Sequence, residues 1–450
     1  MLTDHQREDF FAYLRFPSIS ADPAAAPAML ACAEWLRGKF TSLGFSSELH
    51  ATPGPPVLVA RRAAAQPGAP TLLIYGHYDV QPVDPLALWR DPPFEPVLRD
   101  GLVYARGATD NKGQTFTHIL GTEAWLRTHG ELPVNLIYLM EGEEEIGSPH
   151  LGDFLRAHAA ELSCDSILVS DTSMIAPGRP ALTCGLRGIA CLDLRLTGPV
   201  MDLHSGVYGG AVVNPATELA RLLAAMHDSS GRVAIPGFYD EVASPDPLET
   251  AEWRTLPYTD EDILRGTGAP ALGGEAGFTS LERLWIRPTA EVNGITAGYQ
   301  GPGSKTIIPR EATAKLSFRL VPNQEPEVIA ARVAAFFEAE AGPGVKVEVN
   351  YDHGGAPYFA DPTTPTALAV RAALAEVFGC EAVLVREGLS IPIVALFKKI
   401  LGRDTLLVGL GLPDCAAHSP NETFPLAHLE LGIALHQALL RRLGATTSGC

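Results

Sequence analysis

The chain has 450 residues, with 52 Asp and Glu against 34 Lys and Arg, a formal net charge of −18. Hydrophobic residues make up 46% and charged residues 19%, which is ample for a buried core and too apolar for disorder; at about 150 residues per domain, three domains are expected, or two with one of them large. The acidic balance without a Lys/Arg run argues against a nucleic-acid partner, and no run approaches the roughly 18 apolar residues that span a bilayer.

The seven cysteines (32, 164, 184, 191, 380, 415 and 450) are scattered and contain no C-x-x-C pair, which argues against a disulfide framework or a cysteine zinc site. The charged start, Met1 to Asp9, lacks the apolar stretch of a signal peptide. A reduced, cytoplasmic protein is the expectation. Its acidity reads either as solubility or as carboxylates gathered on a cation site.

Taken in chain order, Ala28 to Leu43 has helical spacing (Leu30, Trp35, Leu36, Phe40 and Leu43) and stops at Gly44. Thr71 to Tyr75 is a continuous apolar run ending at Gly76, as a buried parallel strand would. Thr115 to Arg127 reads as a helix, and Val134 to Met140 and Ser166 to Val169 as further strands. That alternation implies an α/β sheet covered by helices. Near Arg187 the character changes. Ile189 to Leu196 alternates like a strand, and Pro215 to His227 reads as a helix capped by Asn214 with Pro215 in its first turn. A Pro/Gly/acidic stretch follows from Ser229 to about Gly277, an insertion or an irregular excursion to which the pattern assigns no secondary structure. Ala312 to Leu320 (strand), Glu327 to Glu340 (helix) and Val345 to Tyr351 (strand) suggest a second, smaller α/β layer. Pro365 to Phe378 and Ala427 to Leu443 close the chain as helices. The pattern suits a discontinuous first domain with the second inserted in it.

The chemistry gathers where strands end, which is where open α/β sheets present ligands. His77 and Asp79, in Gly76-His77-Tyr78-Asp79-Val80-Gln81-Pro82, lie two apart and share a face of an extended segment; a carboxylate is a common orienting group for a ligand histidine. Asp110, in Arg106 to Gly113 just before a helix, is a metal ligand or a helix cap, and taken alone the cap is the better reading. Glu141, Glu143, Glu144 and Glu145 crowd together after an apolar strand and repel one another unless a cation or protons neutralise them; the bland reading is a solvated acidic loop. Asp171 follows the Ile167-Leu168-Val169 run, and His418 sits far downstream in Ala416 to Glu422. Taken singly, each has a structural reading. Together, two histidines and several carboxylates make a cysteine-free donor set suited to zinc or manganese. One carboxylate can bridge two ions that activate water and polarise a carbonyl, with a spare glutamate as base.

These motifs resemble the two-metal peptidases that include carnosinase, aminoacylase and glutamate carboxypeptidase. G-H-x-D-V-x-P, R-G-x-x-D-x-K-G, E-E-x-G-S and H-S-x-N-E occur here in family order. By that resemblance His77 and Asp171 are ligands of one metal, Glu145 and His418 of the other, and Asp110 is the bridging carboxylate, preceding a cis peptide bond. Glu144 is the general base and Asp79 orients His77. Asp202 to Gly206, Gly301 to Thr306, Arg319 to Asn323 and Glu387 to Pro392 are similar to the carnosinase and cytosolic non-specific dipeptidase branch. The resemblance then implies an α/β catalytic domain with a mostly parallel sheet (1–186 and 357–450) and an inserted α+β lid and dimerisation domain (187–356). It also implies that His204 and Thr306 reach the partner subunit's site, His204 supporting the oxyanion, and that Arg319 and Ser390 hold the substrate's C-terminal end. In one departure, Leu389 follows Gly388 where the branch often has a second glycine.

The implied function is hydrolysis of dipeptides or short peptides with a free C-terminal carboxylate by a homodimer carrying two divalent ions per subunit, with zinc first and manganese or cobalt also suitable. A metal-bridging hydroxide, with Glu144 taking the proton, would attack the scissile carbonyl. Two alternatives stay open: an N-acyl-amino-acid deacylase on the same fold, and a non-catalytic, metal-free binding relative.

Overall fold

The computed structural model describes residues 2–256, 258–388 and 391–445. The chain forms two compact units. The larger runs to Cys184, resumes over Ala360–Val385 and continues from Ile393; the smaller comprises Gly185–Phe359 and the return at Arg386–Pro392.

The larger unit is built on a sheet with strands in the order Ser46–His50, Val57–Arg62, Asn135–Glu141, Thr71–His77, Ser166–Val169, Thr405–Leu407 and Ala181–Leu186. The four from Asn135–Glu141 to Thr405–Leu407 are parallel, and antiparallel strands flank them. Parallel neighbours need a crossover, which the helix Lys112–His129 supplies between Thr71–His77 and Asn135–Glu141. Nearly every residue of these two strands is buried, which explains why both read as continuous apolar runs instead of alternating ones. Gly76 has a specific cause: a Cβ there would meet Thr115 Oγ1 at 2.3 Å, so this helix lies so close to the sheet only over a glycine.

The Lys112–His129 helix is buried continuously from Lys112 to Thr122 and touches both the sheet and the C-terminal helix Leu426–Ala445. A helix covered on all sides loses the amphipathic period, so its polar first turn was invisible to pattern reading. Strand register then sets the level of the chemistry. His77 pairs with Glu141, and Tyr75 pairs with Val169. Three neighbouring strands therefore finish side by side at their carboxyl ends.

The smaller unit holds a four-stranded antiparallel sheet in the order Thr289–Ala297, Glu311–Leu320, Gly188–Thr197, Lys346–Gly355. Residues of Gly188–Thr197 alternate between buried and more exposed, and Leu192, Leu194 and Leu196 pack with Leu222 and Leu219 of the helix Pro215–Ala224 and Val333 and Phe337 of the helix Pro326–Glu340. Asn214 caps the first of these helices through Ala216 N–H. The stretch 229–277 is not bare loop: it contains the short helices Pro247–Trp253 and Asp260–Thr267. It is fastened by Glu275, which accepts from Arg287 Nε and Nη2 at 2.7 and 2.8 Å, while Arg232 stacks 3.8 Å from the Tyr239 ring centre. None of the described cysteines is in a disulfide. Among the described residues no helix is long and apolar enough to cross a membrane.

Candidate metal centre and active site

His77 ends its strand fully buried. Its Nδ1 lies 3.1 Å from the Asp79 backbone oxygen and 3.3 Å from Asp79 Oδ1. A carbonyl oxygen can only accept, so Nδ1 carries the proton and Nε2 is the basic nitrogen. Nε2 faces Asp110 Oδ1 at 3.3 Å and Asp171 Oδ2 at 3.7 Å. Asp79 is fully buried too, and its second oxygen accepts from Glu145 N–H at 3.0 Å.

Asp110 is not the helix cap. The helix starts at Lys112 with Asn111 in the cap position and no capping side chain, and the Asp110–Asn111 peptide bond is cis. The Asp110 carboxylate points instead to the histidines: Oδ2 is 2.9 Å from His418 Nε2, and Oδ1 faces His77. Asn111 Nδ2 donates to Asp171 Oδ1 at 2.9 Å and to the Ser170 carbonyl, which fixes Asp171 beside the same loop.

The acidic cluster is not a solvated loop. Glu141 and Glu143 are buried, and the Glu145 side chain is 4% exposed. Glu144 opens a single turn of 3₁₀ helix, Glu144–Ile146. Glu145 Oε2 lies 3.3 Å from His418 Nε2 and accepts from Gln81 Nε2 at 2.8 Å. Glu141 accepts from Tyr75 and Ser148 hydroxyls at 2.6 and 2.8 Å, and its burial pushes its pKa up to about 7.

Two donor sets therefore share Asp110: His77 and Asp171 on one side, Glu145 and His418 on the other. Donor atoms of His77, Asp110 and Glu145 all lie within 4.8 Å of one another. Burial works against ionised Asp110, yet the facing His418 and His77 hold its pKa well below the usual carboxylate range. Asp110 and Glu145 push His418 up to about 10. Burial, reinforced by the charges of Asp171, Asp110 and Glu145 and opposed by His77, raises Glu144 well above an ordinary glutamate. These groups fit a divalent metal. The buried His77 Nε2 has no hydrogen-bond partner of good geometry, and mixed imidazole and carboxylate donors without thiolate suit zinc or manganese.

In the smaller unit, His204 sits on a short two-stranded ladder in which it pairs with Ile307, and Thr306 just precedes that second strand, its carbonyl accepting from Ser205 N–H at 3.1 Å. Both are exposed. His204 Nδ1 accepts from Gly206 N–H at 3.0 Å, so in the neutral ring Nε2 is the outward donor. Arg319 lies apart from that ladder, on the strand Glu311–Leu320 opposite Ile189. Ser390 and Leu389 lie outside the described residues.

The profile of Peptidase family M20/M25/M40 matches residues 73–442. The chain belongs to this family. It is a metallopeptidase. Among M20 relatives it is 33% identical to a Cys-Gly metallodipeptidase of Schizosaccharomyces pombe, covering 99% of this chain and 97% of that one. It is 31% identical to the Beta-Ala-His dipeptidase of Rattus norvegicus over 88% of this chain and 82% of the relative. An M20 family metallo-carboxypeptidase from Sulfolobus solfataricus has a similar solved structure, with a TM-score of 0.85 and 32% identity over 98% of this chain and 100% of that one.

Sequence reasoning gave no role to Gln81, Asn111, Glu141 or Glu422, although Gln81, Asn111 and Glu422 sit in quoted M20 motifs and Glu141 ends the strand just before one. Their partners are strand ends and loops far away in sequence, so no local period announces them. The usable signal was a polar residue within a few positions of a candidate ligand, in a segment fed by a buried strand.

Proposed function

We propose that this M20 metallopeptidase hydrolyses dipeptides and short peptides bearing a free C-terminal carboxylate. The observation that carries the reading is Asp110, with one oxygen 3.3 Å from His77 and the other 2.9 Å from His418. His77, Asp110 and Asp171 would hold one divalent ion, and Asp110, Glu145 and His418 a second; zinc suits the donors best, with manganese or cobalt as substitutes. When bound, such ions supply Lewis acidity and lower the pKa of water.

The protein's own groups do the rest. Glu144, next to the ligand Glu145, takes a proton on its carboxylate from the attacking water and returns it to the departing amine nitrogen. Its raised pKa suits a group that must both hold and release a proton. Asp79 keeps the His77 proton on Nδ1 and, through Glu145 N–H, ties the two donor sets together. The exposed His204 Nε2–H is a donor for the developing oxyanion, a contribution of about 3 kcal/mol for one such group. Arg319, Thr306 and Ser390 would receive the substrate's C-terminal end, the guanidinium by a bidentate pair.

The dipeptidase names of two M20 relatives, Cys-Gly and Beta-Ala-His, support a dipeptide substrate. In this reading the smaller unit is a lid through which two copies form a homodimer, so that His204 and Thr306 serve the partner's site, and the enzyme works in the cytoplasm. The test is a parallel assay of Cys-Gly, β-Ala-His and N-acetyl amino acids before and after chelation. Dipeptide hydrolysis lost to chelator and restored by zinc, manganese or cobalt is expected. Faster turnover of N-acetyl amino acids would favour the deacylase, and no turnover with no bound metal would favour a binding relative.

A further inference from the structure

Glu422 closes the H-S-x-N-E motif, four residues after His418, and is fully buried. Its two oxygens receive four donors from one loop. Oε1 accepts from Thr109 N–H at 2.8 Å and Asp110 N–H at 3.0 Å; Oε2 accepts from Gly107 N–H at 2.8 Å and Arg106 Nη1 at 2.9 Å. Arg106 is 1% exposed, donates through Nη2 to the Pro82 carbonyl at 3.0 Å, and lies 5.3 Å from the Trp89 ring centre. One buried carboxylate thus gathers the Asp110 loop, and its guanidinium partner reaches the turn that follows His77 and Asp79.

The same residue anchors the segment that carries His418. Ala416, His418 and Asn421 have φ of 58°, 60° and 64°, a left-handed conformation that non-glycine residues hold only with outside support. That support comes from the flanks. The Glu422 carbonyl accepts from Ala105 N–H at 3.2 Å, Thr423 N–H donates to the Cys415 carbonyl at 2.9 Å, and Asn421 bonds Arg90 N–H and the Leu88 carbonyl at 2.8 and 2.9 Å. A buried ion pair adds little net stability compared with apolar packing. Its distinctive product here is geometric: it sets the Asp110 carboxylate against His418 Nε2.

We infer that Glu422, braced by Arg106, is a positioning residue that fixes the distance between Asp110 and His418 and thereby the affinity of the Asp110–Glu145–His418 set for its divalent ion. The inference rests on the two-metal reading above. Glu422→Gln keeps the shape but turns an amide NH₂ toward two of the four donors. Loss of such support weakens metal binding by about 10–100-fold.

The experiment titrates full-length wild type and Glu422→Gln with zinc against a chromophoric chelator, and follows the visible spectrum of the cobalt-loaded proteins. Expected are two ions in wild type and, in Glu422→Gln, one of them weakened at least about tenfold, with an altered cobalt spectrum and dipeptide turnover recovered by added metal. Lys39→Met, which breaks the Asp9–Lys39–Glu123 ion pairs of the same unit, is the stability control and should leave both metal constants unchanged. If Glu422→Gln does not fold, Glu422→Asp, which withdraws the oxygens by about one carbon–carbon bond, is expected to show the same loss. Unchanged constants in a folded Glu422→Gln, or in Glu422→Asp, would overturn the inference alone. Wild type that takes up no metal would overturn the two-metal reading and the inference with it.

Discussion

His418 Nε2 lies 2.9 Å from Asp110 Oδ2, although 308 positions separate the two residues in the chain. The contact joins the loop before the crossover helix to the segment before the C-terminal helix. The larger unit therefore completes its site only when the chain returns from the smaller one.

Glu144 separates chemistry from metal binding. In Glu144→Gln the ligand atoms stay in place, so metal content should match wild type while kcat falls by about 10²–10⁴-fold, the usual share of a general acid–base. Steady-state kinetics with elemental analysis of the same sample checks this. Turnover within a fewfold of wild type would remove Glu144 from the mechanism.

The Asp79 carboxylate accepts Glu145 N–H on Oδ2 at 3.0 Å, while its Oδ1 lies 3.3 Å from His77 Nδ1, whose proton bonds the Asp79 carbonyl. An Asn that keeps the Glu145 bond turns its NH₂ toward the His77 Nδ1–H and removes the negative charge beside it. Asp79→Asn should weaken zinc by about 10–100-fold, measured by chelator competition, with a smaller loss of kcat at saturating metal. Unaltered zinc affinity would mean that Asp79 orients neither residue.

Gly113 opens the crossover helix with its Cα against the preceding loop; a Cβ there would lie 1.9 Å from the Ala108 backbone oxygen. Backbone cannot swing aside as a side chain can. Gly113→Ala should cost about 1–3 kcal/mol or more, read from the urea midpoint, and should lower metal affinity because the displaced loop carries Asp110. A midpoint equal to wild type would contradict the packing described.

The resemblance rested on short motifs, and G-H-x-D-V-x-P and E-E-x-G-S were legible because each comes at the end of a buried strand. Thr71 to Tyr75 announced itself as an apolar run, Gly76 ended it, and His77 and Asp79 followed. Asn214 and Pro215 marked their helix by capping chemistry that needs no tertiary context. Other elements were silent. The helix Asp4–Leu14 carries its charges in its first half and buries only Gln6, Phe10, Tyr13 and Leu14. Asp260–Thr267 has a capping box at Thr259 and Asp262 but no buried residue, so no apolar face marked it. Glu422 was silent for another reason: its four partners lie more than 300 positions away, and only the folded loop shows that they converge.

The histidine pair behind Asp171 sets an acid limit on stability. His118 and His436 are fully buried with their Nδ1 atoms 3.1 Å apart, and His118 Nε2 is 2.8 Å from Ser170 Oγ. Burial lowers His118 from 6.5 to about 4, and burial together with His118 lowers His436. Depressed folded-state values mean that the unfolded chain binds protons first. The stabilisation is complete above pH 6.5 and is lost as pH falls toward 4, by up to ~3 kcal/mol for His118. In metal-free protein, the urea midpoint of wild type should fall more steeply over this window than that of His118→Gln. Parallel slopes would contradict the neutral, buried pair.

The central claim is that Asp110 is shared by two divalent ions, and anomalous diffraction from zinc-loaded crystals tests it most directly. The account predicts two peaks flanking the Asp110 carboxylate, one beside His77 and Asp171 and the other beside Glu145 and His418. A single peak, or peaks that do not touch Asp110, would contradict it.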